Sequence, residues 1–245
     1  MKQVVCVGAG GIGNWLLRGL TPMLEHRAPG SVLMIIDGDT FEEKNRERQD
    51  FSEFGEKATV RAAMLQPMYP QTIVIARPAW VVQSMPDGLA EDEADGFIAV
   101  KDVCVEGGLV LVAVDNNATR KLVLDEAKTK DDIDVIMGGN DDGFYGDYVH
   151  YRRRSGVEII EDPQEFHPDL ANPGDRNPAE LSCEERQKLP SGTQLVATNM
   201  GVAAFMLARA HQVLFEEDPG TEASEVRFDL RLGRSAPYDR APQKT

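Results

Sequence analysis

Six residues near the start of the chain, Gly8-Ala9-Gly10-Gly11-Ile12-Gly13, could hold a phosphate group. The apolar residues Val4-Val5-Cys6-Val7 before them predict a short buried strand, and residues 14–20 after them predict a helix. A glycine-rich turn lets phosphate oxygens approach the backbone, and the unpaired N–H groups at a helix N-terminus attract anions. The turn alone fits NAD, NADP, FAD and ATP, so other residues must narrow the choice.

Charged and amide side chains follow this turn at defined positions. They are Asp37, Asp39, Asn45, Arg48, Gln49, Lys57, Asp115, Asn116 and Arg120. Asp37 and Asp115 each end a predicted buried strand, where α/β proteins bind their ligands. Taken alone, Asp37 suits any nucleotide with a ribose, and Asp115 suits a helix N-cap. Arg48 and Lys57, taken singly, suit solvated surface charges, so only the joint spacing distinguishes these alternatives.

The order and spacing of these residues resemble one known superfamily. The pattern reads GxGGxG, then DxD at Asp37-Gly38-Asp39, then N-x-x-R-Q from Asn45, then G-x-K at Gly55-Glu56-Lys57, then D-N-x-x-x-R from Asp115. Between Gly8 and Arg120 this series resembles the ThiF/MoeB superfamily, which includes the activating enzymes for ubiquitin and for bacterial sulfur-carrier proteins. Beyond about Gly143 the resemblance is looser.

The resemblance implies an E1-like adenylyltransferase with ATP and Mg²⁺ as cofactors. In that reaction the C-terminal glycine carboxylate of a ubiquitin-like or sulfur-carrier protein attacks the α-phosphate of Mg-ATP, and pyrophosphate leaves. The resemblance implies a role for each motif position. The nucleotide turn would be shaped by Gly8, Gly10, Gly11 and Gly13, the ribose would donate hydrogen bonds to Asp37, and the phosphates would contact Asn45 and Arg48. Lys57 would neutralise charge at the α-phosphate, Asp115 would hold Mg²⁺, and the surrounding shell would be supported by Asp39, Gln49, Asn116 and Arg120. Arg48, Lys57 and Asp115 are therefore the first catalytic candidates.

This reaction needs no catalytic histidine, because the attacking carboxylate is already ionised near neutral pH. It faces like-charge repulsion from the triphosphate, and charge builds up on the leaving pyrophosphate. Preorganised arginine, lysine and Mg²⁺ relieve both effects. His150, His167 and His211 show no metal-ligand spacing, and we expect them at surface or core positions.

The three cysteines, Cys6, Cys104 and Cys183, are far apart and form no CxxC pair, so we expect neither zinc nor a disulfide scaffold. The resemblance implies a further role for Cys183, because many relatives carry a crossover-loop cysteine that takes the activated partner as a thioester or an acyl disulfide. An exposed loop thiol suits that role, but the neighbouring Glu184 and Glu185 would raise its pKa. Covalent nucleophile and ordinary loop residue both remain open for Cys183. Cys6 lies in a predicted buried strand and is expected to be inert.

The resemblance also implies the partners. They are a ubiquitin-like or sulfur-carrier protein with an extended, glycine-terminated tail, and a second subunit in a homodimer or heterodimer formed through the later strands and residues 195–215. Relatives often begin with a helical segment that gives an arginine to the partner subunit's site. The printed sequence opens on a strand, so we expect that arginine to come from elsewhere or to be absent.

Two other functions remain open. The glycine turn and Asp37 also suit an NAD(P)-dependent oxidoreductase, although no His, Lys or Tyr can be nominated for its hydride-transfer step. A non-catalytic ThiF-like interaction subunit would keep the fold and carry out no pyrophosphate exchange.

Composition narrows the partners and the compartment. The 245 residues carry a formal net charge of −15, which repels nucleic-acid phosphates and anionic membranes. No apolar run approaches the roughly 20 residues that span a bilayer, and the sequence shows no signal-peptide pattern. We expect a cytoplasmic protein with no nucleic-acid and no membrane partner.

The pattern of strands and helices predicts an α/β fold: a Rossmann-like, mainly parallel sheet with helices on both faces, extended by antiparallel strands in the C-terminal part. We expect a single adenylation domain over 1–245, with a nucleotide-binding half (1–140), an antiparallel extension (141–232) that includes a crossover loop (161–194), and a mobile tail (233–245). The crossover loop is too long for an ordinary connection, so we expect it to be functional or partly disordered. We also expect the first helix to break near Gly19-Leu20 and a short second helix to start at Thr21-Pro22.

Overall fold

A computed structural model describes most of the chain. The described residues are 1–47, 49–86, 88, 90, 94–141, 143–182, 185, 195–216 and 224–238. Two predicted site residues, Arg48 and Cys183, fall between these ranges, as does much of the predicted crossover loop after residue 182.

The strands form one large sheet and two small ones within the described residues. The strands are β1 Gln3–Val7, β2 Val32–Ile36, β3 Thr40–Phe41, β4 Gly55–Glu56, β5 Ile73–Arg77, β6 Trp80–Val82, β7 Phe97–Ala99, β8 Leu109–Val112, β9 Ile133–Asn140, β10 Tyr145–Arg154, β11 Val157–Ile160, β12 Glu225–Asp229 and β13 Arg234–Pro237. The large sheet has the order β13-β12-β10-β9-β8-β1-β2-β5, with β11 paired to β10. Within this sheet the neighbouring strands β5, β2, β1, β8 and β9 are parallel to one another. The pairs β9–β10, β10–β12 and β12–β13 are antiparallel. The predicted α/β sheet with an antiparallel C-terminal extension is confirmed.

Helices cover both faces of this sheet. They are α1 Gly11–Arg27, α2 Lys57–Leu65, α3 Val100–Val103, α4 Asn117–Ala127, α5 Pro168–Ala171 and α6 Val196–Phe215, with 3-10 turns at Glu43–Asn45, Pro163–Glu165 and Pro178–Glu180. Alternate residues of β1 enter different cores: Val4 and Cys6 pack with α1, α2 and α6, whereas Val5 and Val7 pack with α3 and α4. A strand segment buried on both faces must be apolar, as β1 is from Val4 to Val7. Within the described residues, no helix combines the length and the apolar composition needed to cross a membrane.

The strand order reverses next to β1. The chain runs from β1 outward to β2 and β5, then crosses over to β8 and continues to β9 on the other side. The connections leave β1 and β8 in opposite directions, which opens a crevice at the carboxyl ends of these two strands. The glycine turn follows β1 and Asp115 follows β8, so both lie at this crevice.

The predicted break in the first helix is wrong. Helix α1 runs without interruption from Gly11 to Arg27 and contains Pro22. Proline removes one backbone hydrogen bond, but Leu20 and Leu24 on either side are fully buried, and a Cβ at Gly19 would overlap Leu207 of α6. Packing of this face against the sheet and α6 outweighs the local signal at Thr21-Pro22.

The segment predicted as a mobile tail, residues 233–245, contains a strand near its start. Arg234–Pro237 forms β13, which pairs antiparallel with β12. Phe228 of β12 is buried in the core and fixes that strand, and β13 then completes the hydrogen bonds of its outer edge. Residues 239–245 lie outside the described ranges.

Candidate functional site

A cavity of about 660 Å³ opens at the carboxyl ends of β1, β2 and β8. It is lined by most of the residues that the sequence analysis selected. These are Gly8, Gly10, Gly11, Asp37, Asp39, Asn45, Gln49, Lys57, Asp115, Asn116 and Arg120. Residues from five separate stretches of the chain thus meet at the strand-order reversal, where α/β folds hold their ligands.

The glycine turn shapes the floor of this cavity. Gly8 has φ +94°, and a Cβ there would lie 2.7 Å from the carbonyl oxygen of Ala113, so only glycine fits. Gly13 does not line the cavity. A Cβ at Gly13 would overlap the carbonyl oxygen of Gly8, so Gly13 allows α1 to pack closely on the turn. The turn therefore aims the N-terminus of α1 into the cavity, and an uncapped helix N-terminus favours an anion.

Asp37 joins the glycine turn to the end of β2. Its carboxylate accepts the N–H of Ala9 at 2.7 Å and the N–H of Asp39 at 2.8 Å. A carboxylate has about four acceptor sites, so two backbone donors leave capacity for ligand hydroxyls. Burial and the neighbouring Asp39 raise the pKa of Asp37, and they outweigh the lowering effect of Lys57.

Lys57 brings a buried positive charge to the cavity. Its Nζ lies 2.9 Å from Oδ2 of Asp39, and its side chain is 7% exposed against 54% for Asp39. Burial by itself would lower the pKa of Lys57, but the carboxylates of Asp37, Asp39 and Asp115 reverse this and raise it. The ammonium is therefore charged at neutral pH and suited to neutralising a phosphate.

Asn45 and Gln49 are buried beside the glycine turn. The side-chain oxygen of Asn45 accepts the N–H of Glu42 at 3.0 Å, which fixes its amide group in the 3-10 turn. The amide nitrogen of Gln49 would lie 3.6 Å from a Cβ at Gly10, and Oε1 of Gln49 is buried with no hydrogen-bond partner among the described residues. A buried acceptor without a partner costs free energy, so Gln49 is a group that a bound ligand or water would satisfy.

Asp115 stands at the open edge of the cavity, directly before α4. The N-cap of α4 is Asn116, whose side-chain oxygen accepts the N–H of Thr119 at 2.8 Å, so Asp115 is not needed as a cap. Arg120, in the first turns of α4, donates through Nη2 to the carbonyl oxygens of Val114 and Gly138, both at 2.8 Å. Arg120 thus holds the loop that carries Asp115, while Asp115 itself remains exposed to the cavity.

The described part of the crossover, residues 161–182, packs along α4 and reaches the cavity. Asp175 accepts the N–H groups of Asn117 at 2.7 Å and Ala118 at 2.8 Å, at the helix N-terminus. Further along, Nδ2 of Asn177 donates to the carbonyl oxygen of Val81 at 2.9 Å. The crossover therefore spans the gap between α4 and β6, and Pro178 becomes part of the cavity wall.

Several lining residues were missed by the sequence analysis. They include Trp80, Asn117, Thr119, Asn140, Asp169 and Pro178. Trp80 and Asn140 lie close to the carboxyl ends of β5 and β9, so a search of every strand end would have found them. No sequence signal places Asp169 and Pro178 here, because they come from the crossover.

The thiols divide into two groups. Cys6 and Cys104 are buried and unpaired among the described residues, and burial raises the pKa of each to about 12. Both thiols are therefore protonated and unreactive at neutral pH. Cys183 and Arg48, two of the catalytic candidates, lie outside the described residues.

The chain belongs to the ThiF family, whose model matches residues 1–231. The match extends well beyond Arg120, where the motif resemblance ended. It includes the antiparallel strands β10, β11 and β12 and helix α6, so the series of motifs and the described sheet as far as β12 belong to one family unit. No curated protein sequence matches the chain significantly.

Solved structures support the same fold. The chain is similar to E. coli MccB solved with AMPCPP and MccA, with 14% identity, a TM-score of 0.65, and coverage of 99% of this chain and 65% of MccB. It is also similar to E. coli MccB solved with ATP, with 14% identity, a TM-score of 0.64, and coverage of 98% and 64%. PaaA gives 18% identity, a TM-score of 0.62, and coverage of 96% and 63%. The chain thus spans slightly less than two thirds of the length of these proteins.

Proposed function

We infer that this chain binds ATP in the cavity at the carboxyl ends of β1, β2 and β8 and adenylates the C-terminal carboxylate of a protein or peptide partner. The observation that carries this function is the convergence of the glycine turn, Asp37, Lys57 and Asp115 on one cavity at the strand-order reversal. Family membership supports it, and E. coli MccB was solved with ATP and, separately, with AMPCPP together with MccA. The partner class is a ubiquitin-like or sulfur-carrier protein with a glycine-terminated tail.

Each lining group has a task in this reaction. The N-terminus of α1 and the glycine turn bind phosphate oxygens, and Asp37 accepts hydrogen bonds from the ribose hydroxyls. The Lys57 ammonium offsets the negative charge that otherwise repels an incoming carboxylate from the α-phosphate. Asn45 and Gln49 extend this polar surface, and Arg48, which lies outside the described residues, completes the family pattern.

Asp115 fits a Mg²⁺ ion that arrives with the nucleotide. Within the described part of the chain no group of three or more His, Cys, Asp or Glu side chains forms a metal cage. Mg²⁺ commonly takes only one or two carboxylates, with phosphate oxygens and waters as its other ligands, so a single exposed Asp115 is sufficient. When bound, the ion would neutralise charge on the triphosphate and the leaving pyrophosphate.

A covalent step at Cys183 is a separate proposal. Adenylation activates the partner's carboxylate as a mixed anhydride with AMP, and a thiolate can displace AMP to form a thioester. Cys6 and Cys104 are too deeply buried to do this, so Cys183 is the remaining thiol of the three in the sequence. Partner adducts on Cys183, and their loss in Cys183→Ser, would be seen by mass spectrometry of the intact protein.

The test of the main proposal compares ligands on wild type, Asp115→Ala and a control, Asp102→Ala. Asp102 is exposed on α3 and does not line the cavity. Mg-ATP at a hundred times its Kd should stabilise wild type and the control by about 2.7 kcal/mol, and Asp115→Ala should lose the magnesium-dependent part. Stabilisation by NAD or NADP alone would contradict the proposal and favour an oxidoreductase. Stabilisation by ATP without pyrophosphate exchange for any glycine-terminated partner would favour an interaction subunit.

A further inference from the structure

Trp80 lies on the cavity wall directly beside Asp37. It begins β6 and lines the cavity together with its neighbours Ala79 and Val81. A Cβ at Gly38 would overlap Cδ2 and Cε2 of the indole and lie 2.6 Å from its Nε1. The ring therefore packs directly on the backbone of Gly38, the residue that separates Asp37 from Asp39.

The cavity has a charged part and an apolar part. Lys57, Asp115 and Arg120 belong to the charged part. The apolar part consists of Trp80, of its neighbours Ala79 and Val81, which are 3% and 4% exposed, and of the buried Pro178 from the crossover. A nucleotide has the same division, with a charged phosphate chain at one end of the ribose and an aromatic base at the other.

We propose that Trp80 is the residue against which the nucleobase stacks. This inference rests on the nucleotide site of the proposed function and adds the residue that positions the base. With Asp37 holding the ribose and Lys57 facing the phosphates, the base extends toward Trp80. Aromatic side chains stack on any nucleobase because every base has a π-face, and the contact buries both rings from water. Gly38 is required because any side chain there would displace the indole.

The chain contains two tryptophans, Trp15 and Trp80, which permits a direct optical test. Trp15 lies on α1 and does not line the cavity. In Trp15→Phe the only indole emission comes from Trp80, and saturating ATP should quench or shift it. In the matched variant Trp80→Phe the remaining emission comes from Trp15, and ATP should leave it unchanged.

Affinity measurements separate base stacking from a structural role. Trp80→Ala should raise the Kd for ATP by about tenfold or more, and Trp80→Phe should recover most of the loss because it retains an aromatic face. Inorganic tripolyphosphate has no base, so its affinity should be the same in wild type and Trp80→Ala. Equal losses for ATP and tripolyphosphate would show that Trp80 only supports Gly38, and would overturn the inference.

The two proposals fail in different ways. Unchanged Trp80 emission at saturating ATP, with pyrophosphate exchange intact, overturns the stacking role and leaves adenylation standing. Failure of wild type to bind ATP at all overturns both. If Trp80→Ala does not fold, the emission of Trp15→Phe and the affinity of Trp80→Phe still decide the question.

Discussion

Nζ of Lys57 lies 2.9 Å from Oδ2 of Asp39, with the lysine side chain almost fully buried and the aspartate half exposed. Two further contacts hold this pair in register: the N–H of Lys57 donates to the carbonyl oxygen of Asp39 at 2.9 Å, and Thr40 pairs with Glu56 in the β3–β4 ladder. The start of α2 is thereby tied to the end of β2. The pair fixes an ammonium group at the cavity wall without occupying all of its three donors.

Replacement of Lys57 tests the role of this charge. Lys57→Ala should lower the rate of ATP–pyrophosphate exchange by about a hundredfold or more, because one preorganised donor to developing charge is lost. The control is Lys101→Ala, which removes an exposed lysine on α3. Exchange at the wild-type rate in Lys57→Ala, with wild-type thermal stability, would contradict the assigned role.

The close packing of Gly13 on Gly8 predicts a large effect from a small substitution. In Gly13→Ala the new methyl group would overlap the carbonyl oxygen of Gly8, so α1 or the turn must move. We expect the free energy of unfolding, measured by urea denaturation, to fall by about 1–3 kcal/mol. Gly174→Ala is the matched control, because a Cβ there meets no atom within 4 Å. Equal stability of the two variants would show that the turn accommodates a methyl group at Gly13 and would contradict the close packing of Gly13 on Gly8.

Stability should depend on pH through His150, which is fully buried between β9, β12 and α6. Nε of Arg209 donates to Nδ1 of His150 at 2.9 Å, so Nδ1 carries no proton, and Nε2 lies 2.7 Å from Oδ1 of Asp134. The imidazole is therefore neutral. Burial, together with the charges of Arg209 and Arg152, lowers its pKa to about 4 despite the opposing effect of Asp134.

The sign of this dependence follows from proton counts. The unfolded chain protonates His150 below pH of about 6.5, whereas the folded protein protonates it only near pH 4. Between these values the unfolded state binds more protons, so the free energy of unfolding falls as the pH falls, by roughly 3 kcal/mol in all. Urea denaturation at several pH values should show this slope for wild type, and His150→Gln should flatten it. A wild-type slope that persists in His150→Gln would assign the effect to another group.

Asp175 should stabilise the start of α4, since it holds the N–H groups of Asn117 and Ala118. In Asp175→Ala these donors lose their acceptor, and we expect a loss of about 1 kcal/mol, as for other helix caps. Hydrogen exchange at the amides of Asn117 and Ala118 should accelerate by the factor that corresponds to this free energy. Glu165→Ala removes an exposed carboxylate from the same crossover and should change neither quantity. Unchanged exchange in Asp175→Ala would mean that water replaces the carboxylate without cost.

The sequence by itself determined the parallel part of the sheet and the strand ends that border the cavity. Short apolar runs followed by glycine or aspartate identify the ends of β1, β2 and β8, because local chain conformation and burial on both faces restrict the residue types there. Parallel strands bring those ends to one edge of the sheet, so residues far apart in sequence, such as Asp37 and Asp115, were correctly expected at one site. Strands β10 and β12 of the antiparallel extension were likewise readable from their alternating patterns, whereas β11 and β13 were not.

Only the tertiary structure decided which local signals prevail. Thr21-Pro22 has the composition of a helix start, yet it lies inside α1 because packing on both sides outweighs one lost hydrogen bond. Trp80 lines the cavity where it packs on Gly38, and Pro178 lines it because the crossover reaches the cavity. No rule of sequence spacing predicts either contact. Contacts between residues far apart in sequence depend on how the sheet and both helical layers pack together, whereas a sequence motif reflects only local conformation. The physical limit of the sequence lies there: it identified residues that line the cavity, such as Asp37, Lys57 and Asp115, and the folded chain added Trp80 and Pro178 to the same wall.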